Sequence, residues 1–302
     1  MNGTKTKCGY VAVIGAPNAG KSTLVNRLTG TKVSIVSPKV QTTRTRVLGI
    51  MMRDNAQIIL VDTPGIFKAG QNRTLEKAIV KSAWEGLENT DVILLVVDAA
   101  RTRMEETRNI LEELLQKKTP VYLVLNKTDK AKKENLIALA KDLNDAYGFS
   151  GTLMISALDG DGTEDLSALL EKEMPDGPFL FDEDQASDMP EILLAAEITR
   201  EKLFLNLKEE LPYALTVETE SWERLDNGDL KISQVIITAR DAHKKIILGK
   251  GGAMIKKIGM AARHELEDIL DCRVHLNLFV KVRENWMEKD EHFSLWGLDR
   301  KA

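Results

Sequence analysis

The chain has 302 residues, a length at which a single hydrophobic core usually stops growing, so we expect two domains. With 42 basic and 46 acidic residues, the formal net charge of −4 argues against a nucleic-acid-binding protein when the chain is taken as a whole. A hydrophobic content of 43% and a charged content of 29% exclude a disordered chain.

The cysteines and the N-terminus bear on the compartment. Cys8 and Cys272 lie far apart, so they predict neither a disulfide framework nor a metal-ligand spacing. The N-terminus lacks the apolar core and the small-residue cleavage site of a signal peptide. No apolar stretch reaches the roughly 18 residues that a transmembrane helix needs. We therefore expect a cytoplasmic protein.

Short apolar runs alternate with amphipathic helical patterns through the first half of the chain. The runs predicted as buried strands span 10–15, 58–61, 92–97, 121–125 and 153–155. The predicted helices span 21–28, 75–87, 105–116, 134–147 and 164–171. This alternation predicts an α/β fold with a doubly wound, mostly parallel sheet. A further strand over 46–52 would pair antiparallel at its edge.

The alternation stops near Met174. Prolines, a glycine and an acidic cluster then predict a linker over 175–189. The first domain therefore covers 1–174, and a smaller α+β domain with a C-terminal extension covers 190–302.

The second domain has a different order of predicted elements. A helix over 191–207 precedes strands over 213–222 and 230–239, which Asn227-Gly228 joins as a hairpin. A short helical turn, a glycine cluster, a helix to about Leu270 and a final strand follow.

A glycine-rich octapeptide follows the first predicted strand and opens the first predicted helix. It matches the phosphate-binding pattern G-x-x-x-x-G-K-[ST] in the context which that motif requires. Its residues are Gly15, Ala16, Pro17, Asn18, Ala19, Gly20, Lys21 and Ser22. The glycines would let backbone N–H groups face the phosphates. Lys21 would reach the β- and γ-phosphates, and the Ser22 hydroxyl would bind Mg²⁺.

Three further motifs follow predicted strands, at the edge where open α/β sheets bind ligands. In Asp62-Thr63-Pro64-Gly65, the carboxylate would hold Mg²⁺ through a water, and the Gly65 N–H would contact the γ-phosphate. In Asn126-Lys127-Thr128-Asp129, Asp129 would accept hydrogen bonds from guanine N1–H and N2–H₂, which discriminates GTP from ATP. Ser156-Ala157 would offer a backbone N–H to guanine O6. Together these motifs predict a protein that binds GTP and GDP.

The glycine cluster of the second domain lies in an apolar pattern over 246–255 that matches I-G-x-x-G-x-x-I, the core of KH domains. Gly249 to Gly252 form a G-x-x-G loop, which clamps a single-stranded backbone because glycines permit close approach. Together with the order of the elements, the loop predicts a type II (prokaryotic) KH domain.

The distribution of charge revises the inference from net charge. Residues 240–263 hold seven basic residues and one acidic residue. The second domain as a whole, residues 190–302, holds 18 basic and 20 acidic residues. We interpret the basic stretch as a phosphate-contact surface, on which Lys256, Lys257 and Arg263 are predicted to be exposed. The predicted RNA-binding residues are Arg240, Lys244, Lys245, Gly249, Lys250, Gly251, Gly252, Lys256 and Lys257.

With these motifs in this order, the chain resembles the Era branch of the translation-factor-like GTPases over nearly its whole length. Gln41-Thr42-Thr43-Arg44 is similar to switch I of that family. The resemblance implies that Thr43, with Thr42 as the alternative, meets Mg²⁺ only when the γ-phosphate is present. We assign the catalytic residues as Lys21, Thr43 and Gly65, and the metal ligands as Ser22, Thr43 and, through a water, Asp62.

Ile66 stands where Ras-like GTPases carry the glutamine that orients the attacking water. A hydrophobic side chain cannot orient water, so we expect the isolated protein to hydrolyse GTP slowly. Related GTPases with an asparagine in the phosphate loop use it to hold K⁺, and Asn18 occupies that position. Two hypotheses for the role of the Asn18 side chain remain: it holds a K⁺ that offsets phosphate charge, or it only stabilises the turn.

The resemblance also implies binding to small-subunit ribosomal RNA near its 3′ end, in the assembling small ribosomal subunit, and peripheral association with the inner membrane. We expect a monomer. The residues alone support a slow GTP-hydrolysing switch joined to a single-stranded-RNA clamp. One alternative is a signalling GTPase whose KH-like module binds protein or membrane, against which the basic stretch argues. Another is an NTP-dependent metabolic enzyme, which the motif at 126–129 disfavours.

Overall fold

The computed structural model describes residues 5–39, 42–44, 46–67, 74–101, 104–114, 116–284 and 286–288. They form two compact units. The first comprises the described residues of Met1–Ser34 and Thr43–Asp188, and the second those of Ile35–Thr42 and Met189–Leu295. A short segment from the first half of the chain is therefore part of the second unit. No helix in the described part of the chain is long and apolar enough to cross a membrane.

The described residues of the first unit build a six-stranded sheet in the order β2-β3-β1-β4-β5-β6. Its strands are β1 (Lys7–Ile14), β2 (Val47–Arg53), β3 (Ala56–Asp62), β4 (Val92–Asp98), β5 (Val121–Asn126) and β6 (Gly151–Ile155). Its helices are α1 (Lys21–Thr29), α2 (Thr74–Glu85), α3 (Glu105–Leu114), α4 (Lys133–Tyr147) and α5 (Thr163–Glu173). The strands run parallel except β2, which pairs antiparallel with β3 at the edge, as predicted.

The central strands are buried on both faces, because alternate residues enter two separate apolar clusters, one on each side of the sheet. The register aligns the carboxyl ends of the strands. Val13 of β1 lies opposite Asp62 of β3, and Asn126 of β5 lies between Asp98 of β4 and Ile155 of β6. The polar residues that end these strands therefore meet along one edge.

The segment predicted as a linker packs along strands of this sheet. The Cys8 amide of β1 donates to the Pro175 carbonyl at 3.0 Å, and the Ile50 amide of β2 donates to the Ala186 carbonyl at 2.8 Å. Residues 175–188 thus belong to the first unit, because their backbone groups find partners there.

The second unit contains α6 (Glu191–Asn206), β7 (Leu215–Arg224), β8 (Leu230–Thr238), α7 (Asp241–Leu248), α8 (Ala253–Leu270) and β9 (Val274–Val282). Strand β8 is central, antiparallel to β7 and parallel to β9, with the helices α6, α7 and α8 packed on the sheet. This is the element order predicted for a type II KH domain. Each element lies within a few residues of its predicted bounds.

Candidate nucleotide site and nucleic-acid interface

The glycine-rich loop connects β1 to α1 through backbone conformations that few residues tolerate. Gly15 and Gly20 have φ values of 151° and 98°, and Asn18 has a φ of 64°, in the left-handed region. A Cβ on Gly20 would lie 2.2 Å from Nδ2 of Asn126, so no larger residue fits there. The glycines of the motif are therefore required both by φ and by the close approach of a neighbouring side chain.

Lys21 begins α1 with its side chain buried. Its Nζ donates to the Gly15 and Ala16 carbonyls, each at 3.1 Å, so the ammonium lies within the loop. Burial lowers the pKa of Lys21 to about 8, against the opposing effect of the Asp62 carboxylate. A buried ammonium in a loop of backbone amides is the arrangement that the predicted contact with the β- and γ-phosphates requires.

Asp62 ends β3 and is fully buried. Neither of its carboxylate oxygens has a hydrogen-bond partner among the described residues. Burial raises the pKa of Asp62, while nearby Ser22 and Lys21 oppose the rise. A buried, unpaired carboxylate is costly, and a hard cation such as Mg²⁺ satisfies it directly or through water. The next residue, Thr63, fixes the strand end by donating from Oγ1 to the Val13 carbonyl at 2.9 Å.

The Ser22 and Thr43 hydroxyl oxygens lie 3.0 Å apart. Adjacent ligands of an octahedral Mg²⁺ with bonds of about 2.0–2.1 Å are separated by about 3 Å, so the pair fits two neighbouring positions around the ion. The Thr42 hydroxyl instead donates to the Lys39 carbonyl at 2.8 Å. Of the two threonines predicted to meet Mg²⁺, Thr43 is therefore the better placed. Gln41 of the predicted switch lies outside the described residues.

The residues after Asp62 and Thr63 pass close to the glycine-rich loop. A Cβ on Gly65 would lie 2.9 Å from Cα of Pro17, so this glycine, which follows Pro64, is needed for the close approach. The Ile66 amide donates to the Gly15 carbonyl at 3.1 Å, and its side chain is buried in an apolar cluster. A buried isoleucine offers no group that orients water, consistent with the slow hydrolysis predicted from the sequence.

Asn126 ties the predicted guanine motif to the phosphate loop. Its Nδ2 donates to the Ala19 carbonyl at 2.8 Å, and its Oδ1 accepts from the Ala157 amide at 2.9 Å. Lys127 has a φ of 67°, and its Nζ donates to the Asn18 carbonyl at 2.7 Å. The base motif and the phosphate loop thus form one hydrogen-bonded unit.

Asp98 belongs to this arrangement and was missed by sequence reasoning. Its Oδ2 lies 2.7 Å from Nζ of Lys127 and 3.4 Å from Nε of Arg101. Arg101 also approaches the Pro17 carbonyl, at 3.4 Å. A signal was present, because Asp98 ends a strictly apolar predicted strand as Asp62 does, and carboxylates at that edge of the sheet lie near the ligand.

The remaining residues predicted to bind the base are held by side-chain contacts. Thr128 and Asp129 lie in a short 3₁₀ turn, and the Ser156 hydroxyl donates to Oδ1 of Asp129 at 2.9 Å. The Ser156 amide donates to the Asp161 carbonyl at 3.0 Å, and the Ala157 amide donates to Oδ1 of Asn126. The predicted contact with guanine O6 therefore requires one of these amides to share or exchange its acceptor.

The G-x-x-G loop lies between α7 and α8. Gly249, Gly251 and Gly252 have φ values of 72°, 59° and 80°. A Cβ on Gly249 would lie 2.8 Å from Cβ of Met254, whereas nothing lies within 4 Å of the corresponding positions on Gly251 and Gly252. The first glycine is therefore needed for packing, and the last two leave open space for a ligand backbone.

Most of the predicted RNA-binding side chains are accessible. Those exposed are Arg240, Lys245, Lys250, Lys256 and Lys257, and Lys244 is half-buried. Arg263 is only partly exposed, at 35%, and its Nη1 donates to both carboxylate oxygens of Glu267, at 2.9 and 3.1 Å. The basic surface therefore centres on the loop and the first turns of α8.

Comparison with known proteins identifies both units. Family models match at residues 10–127, as a 50S ribosome-binding GTPase, and at residues 210–287, as a KH domain. GTPase Era of Sinorhizobium medicae is 54% identical over 97% of this chain and 94% of its own length. GTPase Era of Brucella suis is 52% identical over 98% of this chain and 94% of its own length.

Two solved structures are similar over nearly the whole chain. Era in complex with MgGDPNP and nucleotides 1506–1542 of 16S ribosomal RNA matches with a TM-score of 0.92 and 41% identity, covering 97% of this chain and 99% of that one. A point variant of Aquifex aeolicus Era bound to GDP·AlF4⁻ matches with a TM-score of 0.89, 41% identity and the same coverage. The chain therefore belongs to the Era family of GTPases, with a P-loop GTPase domain followed by a KH domain.

Proposed function

We propose that this protein is a GTP-hydrolysing switch that binds the 3′ region of small-subunit ribosomal RNA through its KH domain and acts in small-subunit assembly. The observation that carries the proposal is the exposed basic surface around the open glycines of the 249–252 loop, in a chain similar to an Era–16S RNA complex. The loop amides and lysines would hold the RNA backbone, and exposed base edges would supply the sequence preference.

In the GTPase domain, Ser22, Thr43 and Asp62 would hold Mg²⁺, which screens the charge of the phosphates when bound. Lys21 would bind the β- and γ-phosphates, and the Gly65 amide would contact the γ-phosphate. Asp129 would select guanine. The buried Ile66 contributes no polar group to the attacking water, so the turnover of the isolated protein would be slow.

The test of RNA binding uses the full chain with a GTP analogue and a 37-nucleotide RNA of the 1506–1542 region. Lys250→Asp should weaken binding at least tenfold and reduce the salt dependence of affinity, while GDP affinity stays unchanged. Lys208→Asp makes the same charge change at an exposed lysine outside the predicted set and should have little effect. Equal RNA affinity for wild type and Lys250→Asp would show that the loop is not the RNA site.

Two further measurements separate the alternative functions. Binding of acidic vesicles or of a protein in preference to this RNA would favour a signalling GTPase. Equal competition by ATP and GTP would favour a metabolic enzyme.

We also propose a cytoplasmic monomer with peripheral membrane association; the free thiols of Cys8 and Cys272 are consistent with a reducing compartment. Cell fractionation tests this location, and analytical sedimentation tests the monomeric state.

A further inference from the structure

Asp98 is a nearly buried carboxylate at the end of β4, with a side chain that is 10% exposed. One oxygen serves the adjoining turn, since Oδ1 accepts from the Ala100 amide at 3.1 Å. The other, Oδ2, lies 2.7 Å from Nζ of Lys127 and 3.4 Å from Nε of Arg101. The contact with Lys127 is the shorter, and the Lys127 side chain is 27% exposed against 45% for Arg101. Because exposed ion pairs contribute little, we infer that Lys127 is the main partner of this carboxylate.

The side chain of Lys127 crosses from the predicted base loop to the phosphate loop. Its Nζ also donates to the Asn18 carbonyl at 2.7 Å. A Cβ on Gly20 would lie 3.9 Å from Cε of Lys127, so the methylene groups pass over the residue that precedes α1. The backbone φ of Lys127 is 67°, a conformation that a lysine rarely adopts and that persists where surrounding contacts hold it. The ammonium therefore has two anchors, the Asn18 carbonyl and the Asp98 carboxylate.

A bound nucleotide must span the same two loops. Its base would meet Asp129, two residues after Lys127, and its phosphates would meet the loop that ends at Ser22. The methylene groups of Lys127 would then form a wall along the space between base and phosphates, where they gain contact with any nucleotide. Hydrogen bonds to Asp129 discriminate among bases, whereas packing against methylene groups does not.

We propose that Asp98 is a positioning residue, which holds Lys127 on the phosphate loop and thereby lengthens the residence time of the nucleotide without selecting the base. Asp98 acts through the ammonium of Lys127 and needs no contact with the nucleotide itself. Without the carboxylate, the ammonium keeps only the Asn18 carbonyl, so the wall moves away more often and the nucleotide leaves sooner. The inference rests on the proposed role of Asp129 in base recognition.

The first test measures the dissociation rate of fluorescent GDP from the full chain. Asp98→Asn preserves the size of the side chain and an oxygen for the Ala100 amide, but it removes the charge. The rate should rise about fivefold to tenfold, as expected when a charge-assisted hydrogen bond becomes a neutral one. Asp91→Asn is the matched control, because Asp91 precedes the same strand and its Oδ2 accepts from the Tyr10 amide at 2.8 Å. Its rate should stay within twofold of wild type.

A double-mutant cycle identifies the partner through which the carboxylate acts. Lys127→Met keeps an unbranched apolar side chain and loses the ammonium, so it should raise the dissociation rate by a similar factor. The double variant should be no more than twofold faster than the faster single variant, because both changes break the same ion pair. If the two factors multiply instead, Asp98 acts through another group and the proposal is wrong. A Lys127→Met rate within twofold of wild type would also overturn it, whether or not Asp98→Asn folds.

A base-switched background separates the role of Asp98 from that of Asp129. Xanthine presents O2 where guanine presents N2–H₂, so the amide of Asp129→Asn should favour xanthosine diphosphate over GDP. Asp98→Asn should speed the release of GDP from the otherwise wild-type chain, and of xanthosine diphosphate from the Asp129→Asn chain, by the same factor. Equal factors support a residue that sets residence time alone.

The other outcomes assign the failure. If Asp129→Asn switches the base preference while Asp98→Asn stays within twofold of its parent, the role of Asp98 is wrong and the base site stands. If Asp129→Asn leaves the preference for GDP unchanged, the proposed base site is wrong and the inference fails with it. An effect of Asp98→Asn on GDP but not on xanthosine diphosphate would make Asp98 a residue that selects the base, contrary to the proposal.

Discussion

The Asn126 side chain donates to the Ala19 carbonyl at 2.8 Å, which joins the residue that ends β5 to the phosphate loop. Its oxygen accepts from the Ala157 amide at 2.9 Å, so one buried amide group bridges three parts of the nucleotide site. These hydrogen bonds connect the loop predicted to contact the base to the loop predicted to contact the phosphates.

Asn126→Ala removes both hydrogen bonds and leaves two backbone groups without their partner. Each such loss costs about 1–3 kcal/mol, so GDP affinity should fall at least tenfold, with a similar loss for GTP. Asn144→Ala is the matched control, because Asn144 also bridges two elements, α4 and β6, at 2.7 and 2.8 Å. Fluorescent GDP titration measures both, and equal losses in the two variants would indicate general destabilisation.

Lys21 makes GDP binding depend on pH in a defined direction. Burial lowers its pKa to about 8, from an ordinary value of 10.5. Below that pKa the ammonium is charged with and without nucleotide, so pH has no effect through this group. Above it the free protein loses the proton, and binding of the phosphates, which favour the charged form, takes it up again. Affinity should therefore fall as the pH rises above about 8.

Titration calorimetry in two buffers of different ionisation enthalpy measures that proton directly. At about pH 9, GDP binding should take up close to one proton, and at about pH 7 none. Lys21→Arg keeps its charge at both values and should show no uptake, although its affinity is lower because the larger head is enclosed by the loop. Identical heats in both buffers at the higher pH would contradict the assignment.

The parts of this site that the sequence predicts are those determined by local spacing. The glycine-rich loop and the residues that end β3 and β5 follow from short motifs and from apolar runs that stop at one edge of a parallel sheet. Element types follow from periodicity in the same way, and their bounds differ from prediction by a few residues because helix and strand ends depend on tertiary contacts.

Other features depend on contacts between distant parts of the chain, which no local pattern encodes. Arg200 and Glu201 are buried in α6, whereas charged residues are normally predicted to face water. The composition of 175–189 predicts a linker, but it does not predict that Pro175 and Ala186 accept hydrogen bonds from β1 and β2.

The glycines of the KH loop should separate folding from RNA binding. Gly249→Ala forces a Cβ against Met254 at 2.8 Å and strains a positive φ, so it should lower the stability of the KH unit by about 1–3 kcal/mol and weaken RNA binding. Gly251→Asn meets open space and a φ of 59° that asparagine tolerates, so stability should change little.

RNA affinity of Gly251→Asn should nevertheless fall, because its side chain occupies the space proposed for the RNA backbone. Urea denaturation and RNA titration of both variants give the comparison. Full RNA affinity in Gly251→Asn would place the RNA elsewhere on the domain.

The role of Asn18 can be tested without disturbing its backbone. Its φ of 64° accounts for an asparagine at this position with no cation present, so geometry alone does not require K⁺. Glycine adopts the same φ, and Asn18→Gly therefore removes the side chain while keeping the loop and the carbonyl that accepts from Lys127. If the side-chain oxygen holds K⁺, wild-type protein should hydrolyse GTP at least fivefold faster in K⁺ than in Na⁺, and Asn18→Gly should be slow in both with GDP affinity retained. Equal wild-type rates in the two salts would leave the asparagine with a role in the turn alone.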